Sequence, residues 1–227
     1  MSVEKDQPVL DVQETIGKAE QYIESNKKSL SIIIGSVIVL VGGYFAWKKL
    51  YVAPLETEAQ EQMFVAERYF EKDSLAKAIN GDGQFLGFKD IVDKYSLTKS
   101  GNLAHLYLGL SYLHTGKYEE AMGELAEYDG GDLMLSPIAI GAQGDALSEL
   151  GKKEDAVEKY MKAAETNPND FTTPIYLMKA ALIYESDNKF SDAVKIYEQL
   201  KTDYSETREG KEADKYISLA KIKGGIE

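Results

Sequence analysis

Cysteine is absent from the 227 residues, and histidine occurs twice. The first absence excludes disulfides, thiolate metal sites, cysteine nucleophiles and an acylated lipoprotein cysteine. The second leaves His105 and His114, with no thiol beside them and no spacing that converges carboxylates on a metal. No run of basic residues occurs either. The net charge is −12, nearly all of it after residue 50. Such a chain repels phosphate backbones, so nucleic acid is not an expected partner. Catalytic signatures are missing in the same way. There is no Gly-x-Ser-x-Gly elbow, and "GDG" (81–83) and "GGD" (130–132) lack the strand, lysine and helix of a phosphate loop. The acidic pairs Glu119/Glu120 and Glu154/Asp155 open helices, where carboxylates complement the helix dipole. The expectation is a non-enzyme with no cofactor and no metal.

The aliphatic residues concentrate in one stretch. Ser29 to Trp47 is uncharged and fenced by Lys27, Lys28, Lys48 and Lys49. At about 1.5 Å per residue it spans roughly 28 Å, close to a bilayer's apolar thickness. Tyr44, Trp47 and Tyr51 gather at one end, where amphipathic rings prefer the headgroup level. A cleaved signal has a short basic leader, whereas residues 1–28 form a long, net acidic one. A membrane anchor over 29–47 is therefore expected. Within the leader, Val12, Ile16, Ala19 and Ile23 share one helical face. That face lies on a membrane surface, extends the anchor or contacts a partner. Lys18, Lys27 and Lys28 on one side balance Lys48, Lys49 and Arg68 on the other, so positive charge does not set the orientation. Ser31, Gly35, Gly42 and Ala46 form a stripe of small residues that lets another membrane helix approach, or else reflects ordinary glycine content.

The rest of the chain is organised by self-similarity. Gly116, Gly151 and Asn188 align, as do Ala121, Ala156 and Ala193. Gly109, Gly144 and Ala181 precede them, with Tyr112, Leu147 and Tyr184; Leu125, Tyr160 and Tyr197 follow. A small residue admits the paired helix, Gly or Asn takes a left-handed cap, and the larger residues fill the wedge. Ser136-Pro137 and Thr173-Pro174 place a cap residue ahead of a proline in the first turn.

These positions resemble the tetratricopeptide repeat over 102–207. The fold expected is all-α: one N-terminal transmembrane helix followed by a tetratricopeptide-repeat α-solenoid. The division is a leader (1–28), a transmembrane helix (29–47), a linker with a degenerate hairpin (48–101), three repeats (102–207) and a C-terminal cap helix (208–227). In the degenerate hairpin, Met63, Ala66, Tyr69 and Phe70 mark the first helix. Phe88, Ile91, Val92 and Tyr95 mark the second, after an insertion at "GDG". Ala213, Tyr216, Ile217 and Ala220 mark the cap.

The resemblance implies a ligand groove against the first helices. Its positions are Leu103, Leu106, Leu110 and Leu113, then Ile138, Gly141, Asp145 and Ser148, then Ile175, Met178, Leu182 and Glu185. The leucines bind an apolar segment or pack on the degenerate hairpin. The lysine and asparagine clamp for chaperone C-termini is absent. With "FKDIVDKYSLTKSG" (88–101) and "LAHLYLGLSYLHTGKYEEA" (103–121), the layout is similar to the ancillary SecYEG translocon subunit family. That implies a single-pass bacterial inner-membrane protein with its repeats in the periplasm. Its partners would be a SecYEG-type translocon, a periplasmic chaperone or nascent chains. A scaffold of another envelope secretion or motility complex, and an organelle import receptor, fit the same layout.

Overall fold

The computed structural model describes residues 12–227, in two units divided after Pro54. Residues 1–11 and the side chains of Val12 and Ala19, part of the expected leader stripe, lie outside the described residues. In the first unit α1 (Val12–Trp47) is one helix, so the leader stripe and the apolar stretch belong to the same element. Its apolar side chains face outward: Ile32 is 62% exposed and Leu40 72%. The Ser36 hydroxyl donates to the Ile32 carbonyl at 2.8 Å, which satisfies the one polar group of that turn within the helix. A π-turn follows over Lys48–Val52. Pro54 has no N–H to give to the preceding turn, and the wide turn sits directly ahead of it.

The second unit, Leu55–Glu227, is built of helices packed in chain order. They are α2 (Ala53–Glu71), α3 (Leu75–Asn80), α4 (Phe88–Lys94), α5 (Lys99–His114), α6 (Tyr118–Glu127), α7 (Leu135–Glu149), α8 (Lys153–Glu165), α9 (Thr173–Ser186), α10 (Phe190–Asp203) and α11 (Arg208–Gly224). Gly116, Gly151 and Asn188 each take a left-handed conformation, with φ of 77°, 74° and 58°. At each, the next residue's N–H reaches back to close the helix: Lys117 to Tyr112, Lys152 to Leu147 and Lys189 to Tyr184, at 2.8–2.9 Å. This six-residue closure satisfies a carbonyl that the helix end leaves open.

The same closure occurs a fourth time. Asp73 has φ 56°, and the Ser74 N–H donates to the Tyr69 carbonyl at 2.9 Å. Ala66, Tyr69, Asp73 and Ala78 therefore stand where Gly109, Tyr112, Gly116 and Ala121 stand one hairpin later. Ala78, Ala121, Ala156 and Ala193 are all fully buried. The second helix of the degenerate hairpin thus starts at Leu75, not at Phe88 as the apolar pattern implied. A short insertion splits it into α3 and α4.

The insertion is tied down by Asp82. Its carboxylate accepts the Phe85 N–H (2.8 Å), the Gln84 N–H (2.9 Å) and the Tyr69 hydroxyl (2.7 Å). Gly81 and Gly87 have no room for a side chain, since a Cβ on Gly87 would meet the Ile79 carbonyl oxygen at 2.3 Å. The Phe85 N–H, then the Tyr69 hydroxyl and Gln84 N–H, depress the Asp82 pKa to about 2. A depressed carboxyl stabilises the fold above its ordinary pKa, and that contribution is lost as pH falls toward 2. Titration of Asp82 by NMR should show a midpoint well below the usual carboxylate range, and Tyr69→Phe should raise it. An ordinary midpoint near 4 would mean the turn does not hold Asp82 this way.

Turns between hairpins come in two kinds. "YSLTKSG" (95–101) and "YSETREG" (204–210) fold alike. The Thr98 hydroxyl donates to the Tyr95 carbonyl at 2.6 Å and accepts the Gly101 N–H at 2.9 Å. Thr207 does the same with Tyr204 at 2.7 Å and Gly210 at 3.1 Å. The other two turns are capped differently from expectation. Ser136 donates to the Gly130 carbonyl instead of capping α7. The Met134 and Leu135 N–H groups go to Asp132. Asn169 accepts the Phe171 and Thr172 N–H groups ahead of α9, while the Thr173 hydroxyl accepts the Asn169 N–H (3.0 Å) and donates to the Ala164 carbonyl (3.2 Å) instead of capping the helix.

Glu56 links α2 to α5. Its carboxylate accepts the Lys99 N–H (2.6 Å) and the Ser100 hydroxyl (2.7 Å) at the start of α5. Open N–H groups there favour an anion. Burial opposes the charge, but the bonds from Ser100, Lys99 and Gln60 hold the carboxyl below its usual range.

Candidate protein-binding surface

The four groove leucines of α5 are spent on packing. Leu106 is 2% exposed, in a core with Ala121, Leu125, Ala139 and Ala142. Leu103, Leu110, Leu113 and Ile138 pack against that core, so the stripe mainly faces the next hairpin. Leu103 also touches the core of the first hairpin, formed around Phe88, Ile91 and Tyr95. Leu106 is therefore corrected from a groove residue to a core residue.

The α7 positions serve the next junction. A Cβ on Gly141 would stand 1.9 Å from the Tyr176 ring of α9, so glycine there lets the ring lie against α7. Asp145 accepts the Tyr160 hydroxyl at 2.7 Å and pairs with Lys179 at 2.5 Å. The Lys179 ammonium also lies 5.5 Å from the Tyr160 ring centre and 5.8 Å from that of Tyr176. Burial, then Asp145, pushes both tyrosine hydroxyls up. Asp145 is an inter-hairpin contact, with the Tyr160 hydroxyl and the Lys179 ammonium both on its Oδ1.

On α9 the stripe stays open. Ile175 is 44% exposed and Leu182 45%, with Met178 half-buried between them. Phe171, one turn ahead, is 73% exposed and was not singled out from the sequence. Ile175, Met178 and Leu182 recur at a helical period and form one apolar strip, with Phe171 exposed in the turn before the helix. Glu185, the last position in the register, is turned inward, with one oxygen 3.6 Å from the Lys223 ammonium.

The histidines have structural partners. His105 Nδ1 lies 2.8 Å from Glu124, and the His114 ring stacks on Phe70 at 5.9 Å. Among the described residues no group of His, Cys, Asp and Glu could hold a metal ion. The membrane-helix positions Gly35 and Gly42 have open space where a side chain would stand, and Ser31 and Ala46 are exposed on the same helix.

Hairpins closed by one turn geometry and stacked through one register define the architecture. Tetratricopeptide-repeat family models match residues 139–170 and 176–207. These segments are tetratricopeptide repeats. The solved structures agree on the fold. One is a putative kinesin light chain of Podosopora anserina built of nearly identical TPR-like repeats. It is 14% identical, covers 75% of this chain and 88% of its own, and has a TM-score of 0.58. A single-substitution form of the same protein is 16% identical over the same shares, with a TM-score of 0.57. No curated protein matches the sequence. The second unit is thus an all-helical tetratricopeptide-like solenoid. Repeats of this kind are protein–protein interaction scaffolds. Helix α1 is long and apolar enough to cross a membrane by length and composition.

Proposed function

We propose that the protein is a non-enzymatic, membrane-anchored accessory subunit of a SecYEG-type translocon in the bacterial inner membrane. In this reading α1 spans the bilayer and the repeats lie in the periplasm, where they hold a chaperone or an emerging chain near the channel exit. The observation that carries the reading is α1, whose outward apolar side chains (Val39 and Leu40 are both 72% exposed) call for a lipid or helical partner. The repeats supply a protein-binding scaffold, and the α9 strip from Ile175 to Leu182 supplies an apolar contact for a client. Ser31, Gly35, Gly42 and Ala46 form the docking stripe toward a translocon helix, since small residues let backbones approach in lipid.

Purification of the full-length protein from membranes in mild detergent tests this. Translocon components should co-purify, and Gly35→Leu combined with Gly42→Leu should reduce them at least about threefold while the repeat domain melts unchanged. Recovery in the soluble fraction refutes the anchor. Recovery of a different envelope complex in place of the translocon refutes the assignment of the partner.

A further inference from the structure

Helices alternate in direction along the second unit, so the turns between hairpins lie at one edge of the array and the left-handed turns within hairpins at the other. Two residues ahead of three first helices, the first of these edges carries a large apolar side chain. Leu97 precedes α5, Leu133 precedes α7 and Phe171 precedes α9. They are 57%, 58% and 73% exposed. One exposed apolar residue is ordinary on a protein surface, but these recur at one offset in successive hairpins and so stand in a row. The series stops at Glu206, which holds the same place ahead of α11.

Helix α2 starts at the same edge. Glu56 in its first turn accepts the Lys99 N–H and the Ser100 hydroxyl at the start of α5. The chain between α1 and the second unit is residues 48–54. Fully extended, that link reaches roughly 25 Å, so an anchored α1 keeps this edge close to lipid. A tether this short also makes a weak contact sufficient, because the effective concentration of the surface is high. The charges indicate how such a contact is made. Asp129, Asp132 and Asp170 outnumber Lys99 in these turns, and Lys162 and Glu165 in the last turn of α8 offset one another. The edge thus has no basic patch for anionic headgroups, and its apolar tips are what a bilayer accepts.

We propose that this edge of the repeats docks on a lipid bilayer surface. The Leu97, Leu133 and Phe171 side chains enter the headgroup region, and the neighbouring aspartates stay in water. The proposal rests on the reading of α1 as a membrane anchor, but not on the translocon as the partner.

The chain has no cysteine of its own, so one introduced thiol takes one label. Gly131, in the turn that carries Leu133, has open space where a side chain would stand. Glu119 is exposed at the opposite edge, in the first turn of α6. Full-length Gly131→Cys and Glu119→Cys, each labelled with nitrobenzoxadiazole, are reconstituted into phosphatidylcholine vesicles that contain a lipid with a nitroxide headgroup. Quenching of the Gly131→Cys label should exceed that of the Glu119→Cys label at least about threefold, and Leu97→Ser, Leu133→Ser and Phe171→Ser together should remove the excess. The three tips are exposed, so the triple variant should melt like the parent. Equal quenching at the two edges overturns the proposal, as does an excess that survives the triple substitution. An excess that appears only with phosphatidylglycerol and is lost in high salt would make the contact electrostatic and overturn it too. No excess in vesicles, with the Gly131→Cys label shielded from aqueous iodide in the detergent-purified complex, would make the occupant a protein. Failure to incorporate into vesicles would refute the anchor, and with it both the function above and this contact. Incorporation with equal quenching removes this contact alone and leaves the function standing.

Discussion

Ala156→Trp is expected to lower the melting temperature of the repeat domain by about 6–12 °C, corresponding to about 3 kcal/mol of overpacking. Ala156 is fully buried where α8 crosses α7, and its carbonyl oxygen lies 3.3 Å from where a Cβ on Gly144 would stand. Tyr160, one turn on, already fills the space above Gly144, with ring atoms 2.7 Å from that Cβ position. An indole has nowhere to go unless the two helices separate. Because each hairpin contacts only its neighbours, a wedge in the middle of the array weakens both junctions. Glu158→Trp places the same indole on the exposed side of α8 and should move the melting temperature by no more than about 2 °C. Equal effects from the two variants would mean that the shared register does not set the helix approach.

Gly101→Ala is expected to cost about 2–4 kcal/mol, although it adds a single methyl group. A Cβ at this position would lie 2.0 Å from the Tyr95 carbonyl oxygen and 2.6 Å from its carbon. Those are backbone atoms, already fixed by the Thr98 N–H and hydroxyl, so no side chain can swing aside. The turn must open, and with it the start of α5. Gly210→Ala repeats the experiment in the matching turn, where the Tyr204 carbonyl is equally close. Its effect should concentrate in α11, read as faster amide exchange there with little change in α5. A Gly101→Ala protein that melts like the parent would show that the turn yields cheaply.

Much of the array was legible because left-handed backbone strongly favours particular residues. Gly116, Gly151 and Asn188 mark three hairpin turns for that reason. Asp73 performs the same task but is a common residue everywhere, and the short insertion after α3 hides the spacing that would have identified it. The caps misled for a related reason. Ser136 and Thr173 stand beside prolines in a familiar order, yet the free N–H groups lie earlier and are met by Asp132 and Asn169. The groove was harder still. On α5 apolar residues surround much of the helix, so periodicity cannot tell a stripe that meets the next hairpin from one left for a ligand. Leu106 and Leu182 belong to the same first-helix stripe, and one is core while the other is half-exposed. Within the register Leu106 matches Met178 and Leu182 matches Leu110, so a leucine in the stripe does not by itself announce which it will be.

Helix α2 carries the first contacts that the array makes after residue 54. Glu56 holds the start of α5, and Glu58 holds Lys94 at 2.7 Å and the Tyr95 hydroxyl at 2.8 Å. A mechanical load entering the domain along the chain is thus passed directly to residues about forty positions further on. Several polar bonds share it at once, and none can release without transferring its part to the others. Both carboxyls sit below their ordinary pKa, Glu58 through Lys94 and Tyr95, so acid would loosen the coupling.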